Sequence, residues 1–170
     1  MENATFINPF PAMDMEKEWK RWNQFLETMN ENESEEWITP KEVVWKKNKS
    51  TLYYYAAKDK KYETPILIVY SLVNKPFILD FAPGASCVEG LMNLGYDVYL
   101  LDWGEPGYED RDISLSDYVA DYLDKAVKRV LRHSHAEDIT LFGYCLGGTL
   151  AAMYTAITDE PVKNLIVATI

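Results

Sequence analysis

The segment ITLFGYCLGGTLAAMY, residues 139–154, restricts the possible folds of this chain more than any other. Its apolar beginning indicates a strand, its end has the spacing of a helix, and a G-x-C-x-G box lies between them at residues 143–147. In the serine form of this box the nucleophile sits on a strained turn between strand and helix. Glycines are required because a tight turn leaves no room for side chains beside the nucleophile. The segment therefore predicts a strand, a sharp turn and a helix, with a thiol at the turn.

Cys145 is the candidate nucleophile of this turn. The positive end of the following helix stabilises a thiolate, and the Leu146 N–H can donate to an oxyanion. We predict that the second donor is the Val73 N–H, with Asn74 as the next candidate, in the loop SLVNKPFILDFAPGAS. The alternatives are that Cys145 is a small buried apolar residue and that the loop is ordinary surface. Cys87 has no comparable setting and is predicted to be a buried thiol.

Strand and helix patterns alternate through the rest of the chain. The runs TPILIVYSL and YDVYLLDWG are typical of strands buried in a parallel sheet, and DITLFG and VKNLIVATI predict two further strands. Between them SCVEGLMNLG and SLSDYVADYLDKAVKRVLRHS indicate helices, the first ending at Gly95 and the second capped by Ser114 or Ser116. The predicted apolar face of the second helix comprises Leu115, Tyr118, Val119, Tyr122, Ala126, Val127, Val130 and Leu131. EVVWKKNKSTLYYYAA predicts a hairpin that turns at Asn48. The pattern predicts an α/β fold with a mostly parallel sheet and right-handed crossovers.

The N-terminal region differs from this body. DMEKEWKRWNQFLETM, residues 14–29, has apolar residues at helical spacing, and Asp14 is a plausible N-cap. The acidic stretch NENESEE follows as a linker. We therefore divide the chain into residues 1–36, a helix with a linker, and residues 37–170, an α/β domain. The apolar face of the helix either packs on that domain or forms a partner or self-association surface.

The composition excludes several classes of protein. With 27 acidic and 17 basic side chains the net charge is -10, which argues against non-specific nucleic-acid binding. Two cysteines make no disulfide framework, and they have no zinc-site spacing, so we predict no metal or cofactor. The sequence contains neither a signal-peptide pattern nor an apolar run near the roughly 20 residues that span a bilayer. The prediction is a cytoplasmic protein with free thiols.

Four segments together carry a resemblance to a known family. GYCLGG, LLDWGEPG, LVNKPFILDFAPG and TPKEVVWKKNKSTLYYY resemble polyhydroxyalkanoate synthases, most closely the short catalytic subunits of the class III and class IV enzymes. The resemblance implies an α/β-hydrolase fold and polymerisation of 3-hydroxyacyl-CoA into polyester. It implies that Cys145 takes the acyl group as a thioester, with a histidine as base and an aspartate supporting it. It also implies a second synthase subunit and a place on the surface of polyester granules.

The chain departs from this family after the nucleophile. In this fold the order is nucleophile, acid, histidine, but no histidine follows Cys145, and the only later acids are Asp159 and Glu160. His133 and His135 precede the strand that Cys145 follows, which separates them from the thiol by roughly 20 Å. The family's aspartate and histidine lie in the portion without a counterpart here. We therefore expect an α/β-hydrolase fold truncated after the nucleophile helix and the start of the next strand, with little turnover.

One further residue and two rival functions remain as alternatives. Asp102 ends a strand on the active-site side, but as a turn residue it more simply caps the loop DWGEPG. The first rival is a cysteine-dependent ester or lactone hydrolase of the same fold. The second is a non-catalytic, truncated chain that binds a partner or a granule surface through its N-terminal helix.

Overall fold

The computed structural model describes residues 38–168, so the predicted helix at 14–29 and its linker lie outside the described residues. Six strands form one sheet: β1 (Glu42–Lys47), β2 (Ser50–Tyr55), β3 (Ile66–Val69), β4 (Val98–Asp102), β5 (Ile139–Tyr144) and β6 (Val162–Ala168). The main helices are α1 (Cys87–Leu94) and α3 (Leu146–Ile157). Between them α2 consists of three consecutive segments: Leu115–Asp117, the π-helical Tyr118–Leu123, and Asp124–Ser134. Short 3-10 turns lie at Pro76–Leu79 and Tyr108–Asp110.

The sheet has the order β1-β2-β4-β3-β5-β6. The hairpin β1–β2 and the pair β2–β4 are antiparallel, while β4, β3, β5 and β6 run parallel to one another. The prediction of a mostly parallel α/β sheet is confirmed. The carboxyl ends of the four parallel strands meet at one edge, the carboxyl edge, where α/β proteins place their sites. Their beginnings meet at the opposite edge, the amino edge.

Helices cover the sheet on both faces. Because side chains alternate along a strand, Leu67 and Val69 of β3 join one cluster with α2 and α3, while Ile66 and Ile68 join another with α1. All four are at most 5% exposed. Burial on both faces explains why these strands are continuous apolar runs.

Local predictions of turns and caps are confirmed. The hairpin turns at Asn48, which has a φ of 51°. Ser114 caps α2, accepting from the Asp117 N–H while the Asp117 carboxylate accepts from the Ser114 N–H. α1 ends at Gly95 in the left-handed conformation. These short-range signals depend on neighbouring residues alone, so the sequence contains them in full.

Two elements differ from the prediction. β3 ends at Val69, and Tyr70 and Ser71 leave the ladder although both are at most 2% exposed. α2 contains the π-helical segment, whose turns hold more residues than α-helical turns. The segment shifts the apolar positions before it relative to those after it, and Leu115, predicted on the apolar face, is 49% exposed.

β6 forms one flank of the sheet. Its side chains Leu165, Ile166 and Val167 are between 37% and 47% exposed. Within residues 38–168 no helix has both the length and the apolar character needed to cross a membrane.

Candidate active site

Cys145 occupies the turn between β5 and α3. Its backbone angles are φ 53° and ψ -132°, outside the regions that a non-glycine residue ordinarily adopts. Such angles cost on the order of 1–3 kcal/mol and persist only where the surroundings enforce them. Strand, turn and helix follow one another as the G-x-C-x-G box predicts. The thiol is half-buried.

Close backbone packing explains the glycines of the box. A Cβ at Gly143 would lie 2.7 Å from the carbonyl oxygen of Gly147, and one at Gly147 would lie 2.6 Å from that of Tyr70. The Val69 carbonyl oxygen is closer still to that second position. No side chain fits at such distances, so α3 begins directly against the end of β3.

Backbone hydrogen bonds hold the turn on both sides. The Cys145 N–H donates to the Ala168 carbonyl at the end of β6 at 2.9 Å. The Gly148 N–H donates to the Cys145 carbonyl at 2.8 Å, which closes the first turn of α3. Leu146 is the first residue of α3, a position whose N–H has no acceptor within the helix. The Leu146 N–H is therefore able to donate to an oxyanion, and this role stays a prediction.

The loop after β3 begins beside the turn at residues 143–147, which we call the elbow. The rings of Tyr70 and Tyr144 stack with centroids 5.6 Å apart and planes 3° apart. Burial, with added contributions from Tyr144 and Cys145, raises the pKa of the Tyr70 hydroxyl. Tyr70 is therefore neutral at physiological pH and close to the thiol.

The Val73 N–H, the predicted second donor, donates to the Ser71 hydroxyl at 3.1 Å. Ser71 is 2% exposed, whereas the side chain of Val73 is 75% exposed. To donate to an oxyanion, the Val73 N–H must give up its hydrogen bond to the Ser71 hydroxyl and bond the substrate oxygen instead. The assignment of Val73 stays a prediction, as does that of Asn74.

The loop after β4 contributes Trp103, which the sequence marked only as part of the segment LLDWGEPG and without a structural role. The Asp102 carboxylate accepts from the Gly104 N–H at 2.9 Å, which confirms its role in the turn. Next to it, the buried indole of Trp103 donates through Nε1 to the Tyr70 carbonyl at 2.8 Å. A contact between two loops that far apart in the chain has no signature in spacing or composition.

Both histidines lie away from the thiol. His133, in the last turn of α2, shares a 2.7 Å hydrogen bond through Nδ1 with the hydroxyl of Tyr99, the second residue of β4. His135 forms the C-cap of α2. Both therefore lie at the amino edge, and β5 separates that edge from Cys145 by roughly 20 Å.

The remaining candidates are Cys87, Asp159 and Glu160. Cys87 is the first residue of α1, and burial raises the pKa of its thiol. Its side chain is half-buried, like that of Cys145, so the prediction of a buried thiol is met only in part. Asp159 and Glu160 follow the far end of α3, and Glu160 pairs with Lys128 at 3.7 Å. No cluster of His, Cys, Asp or Glu side chains among residues 38–168 could hold a metal ion.

Comparisons with protein families agree with this geometry. Residues 64–170 match the model of the α/β hydrolase fold, and residues 27–91 match that of the poly-beta-hydroxybutyrate polymerase (PhaC) N-terminus. The second match includes β1 to β3 and the loop that leads into α1.

Curated relatives match most of the chain. It is 49% identical over 128 residues to the poly(3-hydroxyalkanoate) polymerase subunit PhaC of Haloferax mediterranei, which includes 75% of this chain and 26% of that protein. It is 38% identical over 161 residues to the subunit of the same name from Synechocystis sp., which includes 94% of this chain and 43% of that protein. The chain thus spans less than half the length of either relative.

Solved structures share the fold at low sequence identity. A thermostable carboxyl esterase from Bacillus coagulans superposes with a TM-score of 0.59 and 14% identity, covering 75% of this chain and 43% of the esterase. At this identity the likeness concerns the fold alone.

Proposed function

Because this chain belongs to the α/β-hydrolase fold family and corresponds to the N-terminal portion of poly(3-hydroxyalkanoate) polymerase subunits, we propose that Cys145 is the acyl-accepting nucleophile of such a polymerase. The proposed reaction moves the acyl group of a 3-hydroxyacyl-CoA onto a growing polyester. The observation that carries it is the half-buried Cys145 thiol on a strained turn at the start of α3.

In the proposed first step the Cys145 sulfur attacks the thioester carbonyl carbon. A base takes the thiol proton, a new C–S bond forms, and the C–S bond to CoA breaks. The proton then goes to the departing CoA sulfur, so thioester is exchanged for thioester at nearly equal free energy. The Leu146 N–H, with an amide of the loop after β3, stabilises the oxyanion in between.

In the second step the hydroxyl of another 3-hydroxyacyl unit attacks the Cys145 thioester. Its oxygen forms the ester bond, its proton passes to the base, and the cysteine sulfur leaves and is reprotonated. Chain growth needs water to be kept out, because water competes with that hydroxyl. The stacked rings of Tyr70 and Tyr144 supply an apolar wall beside the thiol.

The base is the part of this mechanism that the 170 residues do not provide. The resemblance implies a histidine with a supporting aspartate, and neither His133 nor His135 lies near the elbow. We assign the base to the portion of the polymerase that this chain does not span. The 170-residue chain alone is therefore proposed to release CoA slowly or not at all.

The family also supports a proposal about partners. We use the term full-length protein for a polymerase that contains this chain as its N-terminal portion together with the portion that supplies the base. We propose that the full-length protein works with a second synthase subunit at the surface of polyester granules in the cytoplasm. The apolar face of the helix predicted at residues 14–29 is the proposed surface for self-association or docking. Co-sedimentation of the full-length protein with polyester granules, with and without residues 1–36, tests this assignment.

Product analysis tests the proposed function. Full-length protein is mixed with 3-hydroxybutyryl-CoA, released CoA is titrated with a thiol reagent, and products are separated by size. CoA release matched by chloroform-soluble polymer is the expected result. CoA release matched by free 3-hydroxybutyrate would instead identify a cysteine hydrolase of the same fold. No CoA release from the intact protein would contradict catalysis and favour the non-catalytic binding chain.

A further inference from the structure

Trp103 connects the loop after β4 to the loop that leaves β3. It directly follows β4, its side chain is 7% exposed, and its indole Nε1–H donates to the Tyr70 carbonyl at 2.8 Å. A buried indole N–H requires an acceptor. Here the acceptor belongs to Tyr70, where the chain leaves β3. The loop that follows is the one proposed to supply the second oxyanion donor, and we call it the oxyanion loop.

Tyr70 is fixed by this bond together with two contacts to the elbow. Its ring stacks on that of Tyr144, the residue before Cys145. Its carbonyl oxygen lies 2.6 Å from where a Cβ at Gly147 would be, so the first turn of α3 rests directly against it. Tyr70 is thus held by the indole, by the nucleophile helix and by the residue preceding the nucleophile.

The orientation of the Tyr70 carbonyl decides where the next amides point. A peptide unit is planar, so fixing the carbonyl of Tyr70 also fixes the direction of the Ser71 N–H. The buried hydroxyl of Ser71 in turn accepts from the Val73 N–H at 3.1 Å. The amides proposed to supply the second oxyanion donor therefore follow directly from the peptide that Trp103 holds.

Trp103 is itself held in place by other parts of the fold. Its carbonyl accepts from the Ser50 hydroxyl of β2 at 3.1 Å. The ring of Tyr118, the first residue of the π-helical segment, meets the indole edge-on with centroids 5.4 Å apart and planes at 90°. The indole is therefore a fixed platform rather than a mobile surface side chain.

We propose that Trp103 is a positioning residue for acyl transfer. Its indole N–H holds the Tyr70 peptide and, through it, sets the oxyanion loop in register with Cys145. Trp103 touches neither substrate nor thiol in this role; it acts through the backbone of Tyr70. The inference rests on the proposed function and deepens it.

The test removes the N–H and keeps the shape. Trp103 is replaced by β-(3-benzothienyl)alanine, which has sulfur in place of the N–H, and separately by phenylalanine, in the full-length protein. CoA release from 3-hydroxybutyryl-CoA is measured at steady state. Because misplacing a stabilising group acts on the transition state, we expect kcat to fall by roughly tenfold to a hundredfold. The KM should stay within about twofold, since ground-state binding does not use this donor.

Trp45→Phe is the matched control. Trp45 is a half-buried tryptophan packed against the same core cluster, but it belongs to β1. Its variant should keep kcat within about twofold of wild type, even if its thermal midpoint falls as far as that of Trp103→Phe. If Trp103→Phe does not fold, the isosteric replacement decides alone.

Two results would contradict the role of Trp103, and they can be told apart. A wild-type protein that releases CoA while the benzothienyl variant matches its kcat overturns the role of Trp103 and leaves the proposed function intact. A wild-type protein that releases no CoA contradicts the proposed function itself, and the role of Trp103 with it.

Discussion

At the carboxyl edge of the sheet the chain turns at Cys145 between glycines that admit no side chain, whereas at the amino edge His133 bonds the hydroxyl of Tyr99. The first edge stores backbone strain and places a thiol at the start of a helix. The second ends a helix with polar side chains that satisfy one another. A thiol and an imidazole are thus both present, but on opposite sides of the fold.

The presence of both a thiol and an imidazole in the chain is therefore not enough to form a catalytic pair. General-base catalysis requires hydrogen-bond reach of about 3 Å, and the length of β5 separates these groups by roughly 20 Å. Strain and tight packing mark the carboxyl edge as the functional one. The following substitutions test this difference between the two edges, beginning with the largest expected effect.

Replacing the thiol should abolish the chemistry at the carboxyl edge. Cys145→Ala in the full-length protein is expected to lower the rate of CoA release by roughly a thousandfold or more, because it removes the proposed nucleophile. Cys87→Ala is the control and should keep kcat within about twofold, since burial raises the pKa of the Cys87 thiol and so disfavours its thiolate. A Cys145→Ala variant with near wild-type turnover would place the reaction elsewhere.

Adding one methyl group should disturb the elbow through its packing. In Gly147→Ala the new Cβ would meet the carbonyl oxygens of Val69 and Tyr70. We expect the free energy of unfolding to fall by about 1–3 kcal/mol, with a loss of turnover, in urea titrations of the full-length protein.

Gly90→Ala is the control for that substitution. Gly90 lies within α1, where an added Cβ would meet nothing within 4 Å. Alanine is the better helix former, so this variant should gain up to about 1 kcal/mol. Equal effects of the two substitutions would show that the close approach at Gly147 is not required.

The pH dependence of the free energy of unfolding should include a contribution from Lys41, which precedes the hairpin. Burial lowers the pKa of Lys41 to about 8, against the opposing charges of Asp80 and Asp102. Between pH 8 and the usual 10.5 the unfolded chain then binds more protons than the folded one, so stability rises with pH in that window. In Lys41→Met this rise should be lost.

Urea titrations at pH 7, 8, 9 and 10 measure this rise in stability. At each pH the free energy of unfolding of Lys41→Met is subtracted from that of the wild type. The exposed neighbour Lys46, changed to Met, is the control and should leave the pH dependence as it is. A difference between wild type and Lys41→Met that stays constant over this range would show that Lys41 is an ordinary lysine.

Removing the imidazole at the amino edge should have the smallest effect on chemistry. His133→Asn is expected to keep kcat within about twofold and to cost about 1 kcal/mol of stability from the lost bond to Tyr99. His135→Asn suits the left-handed C-cap position and should be neutral in both measurements. A hundredfold fall in kcat for either variant would mean that the edges are not functionally separate.

Much of this contrast could be predicted from the sequence. The glycine box predicted the turn at Cys145 because short-range sterics alone require small residues there. The apolar runs of β3 and β4 predicted strands because helices cover both faces of the sheet at these two strands. The C-cap at Gly95 and the N-cap at Ser114 depend on neighbouring residues. The distance between the histidines and Cys145 followed from the length of one strand.

The rest depends on contacts between distant segments. The bond from Trp103 to the Tyr70 carbonyl joins two loops, and nothing in either loop specifies the other. The π-helical segment of α2 keeps an apolar pattern close to that of an α-helix, so its shift was not visible. The engagement of the Val73 N–H by Ser71 depends on where β3 ends, three residues before the predicted apolar run does.

The most direct test of the central claim is to identify the residue that carries the acyl group. Full-length protein is mixed with 3-hydroxybutyryl-CoA, quenched in acid within the first turnover and digested, and the peptides are analysed by mass spectrometry. A hydroxylamine-labile hydroxybutyryl group on the peptide containing Cys145, and none on that containing Cys87, is the predicted result. An acyl group on Cys87 or on a serine, with Cys145 unmodified while CoA is released, would contradict the account.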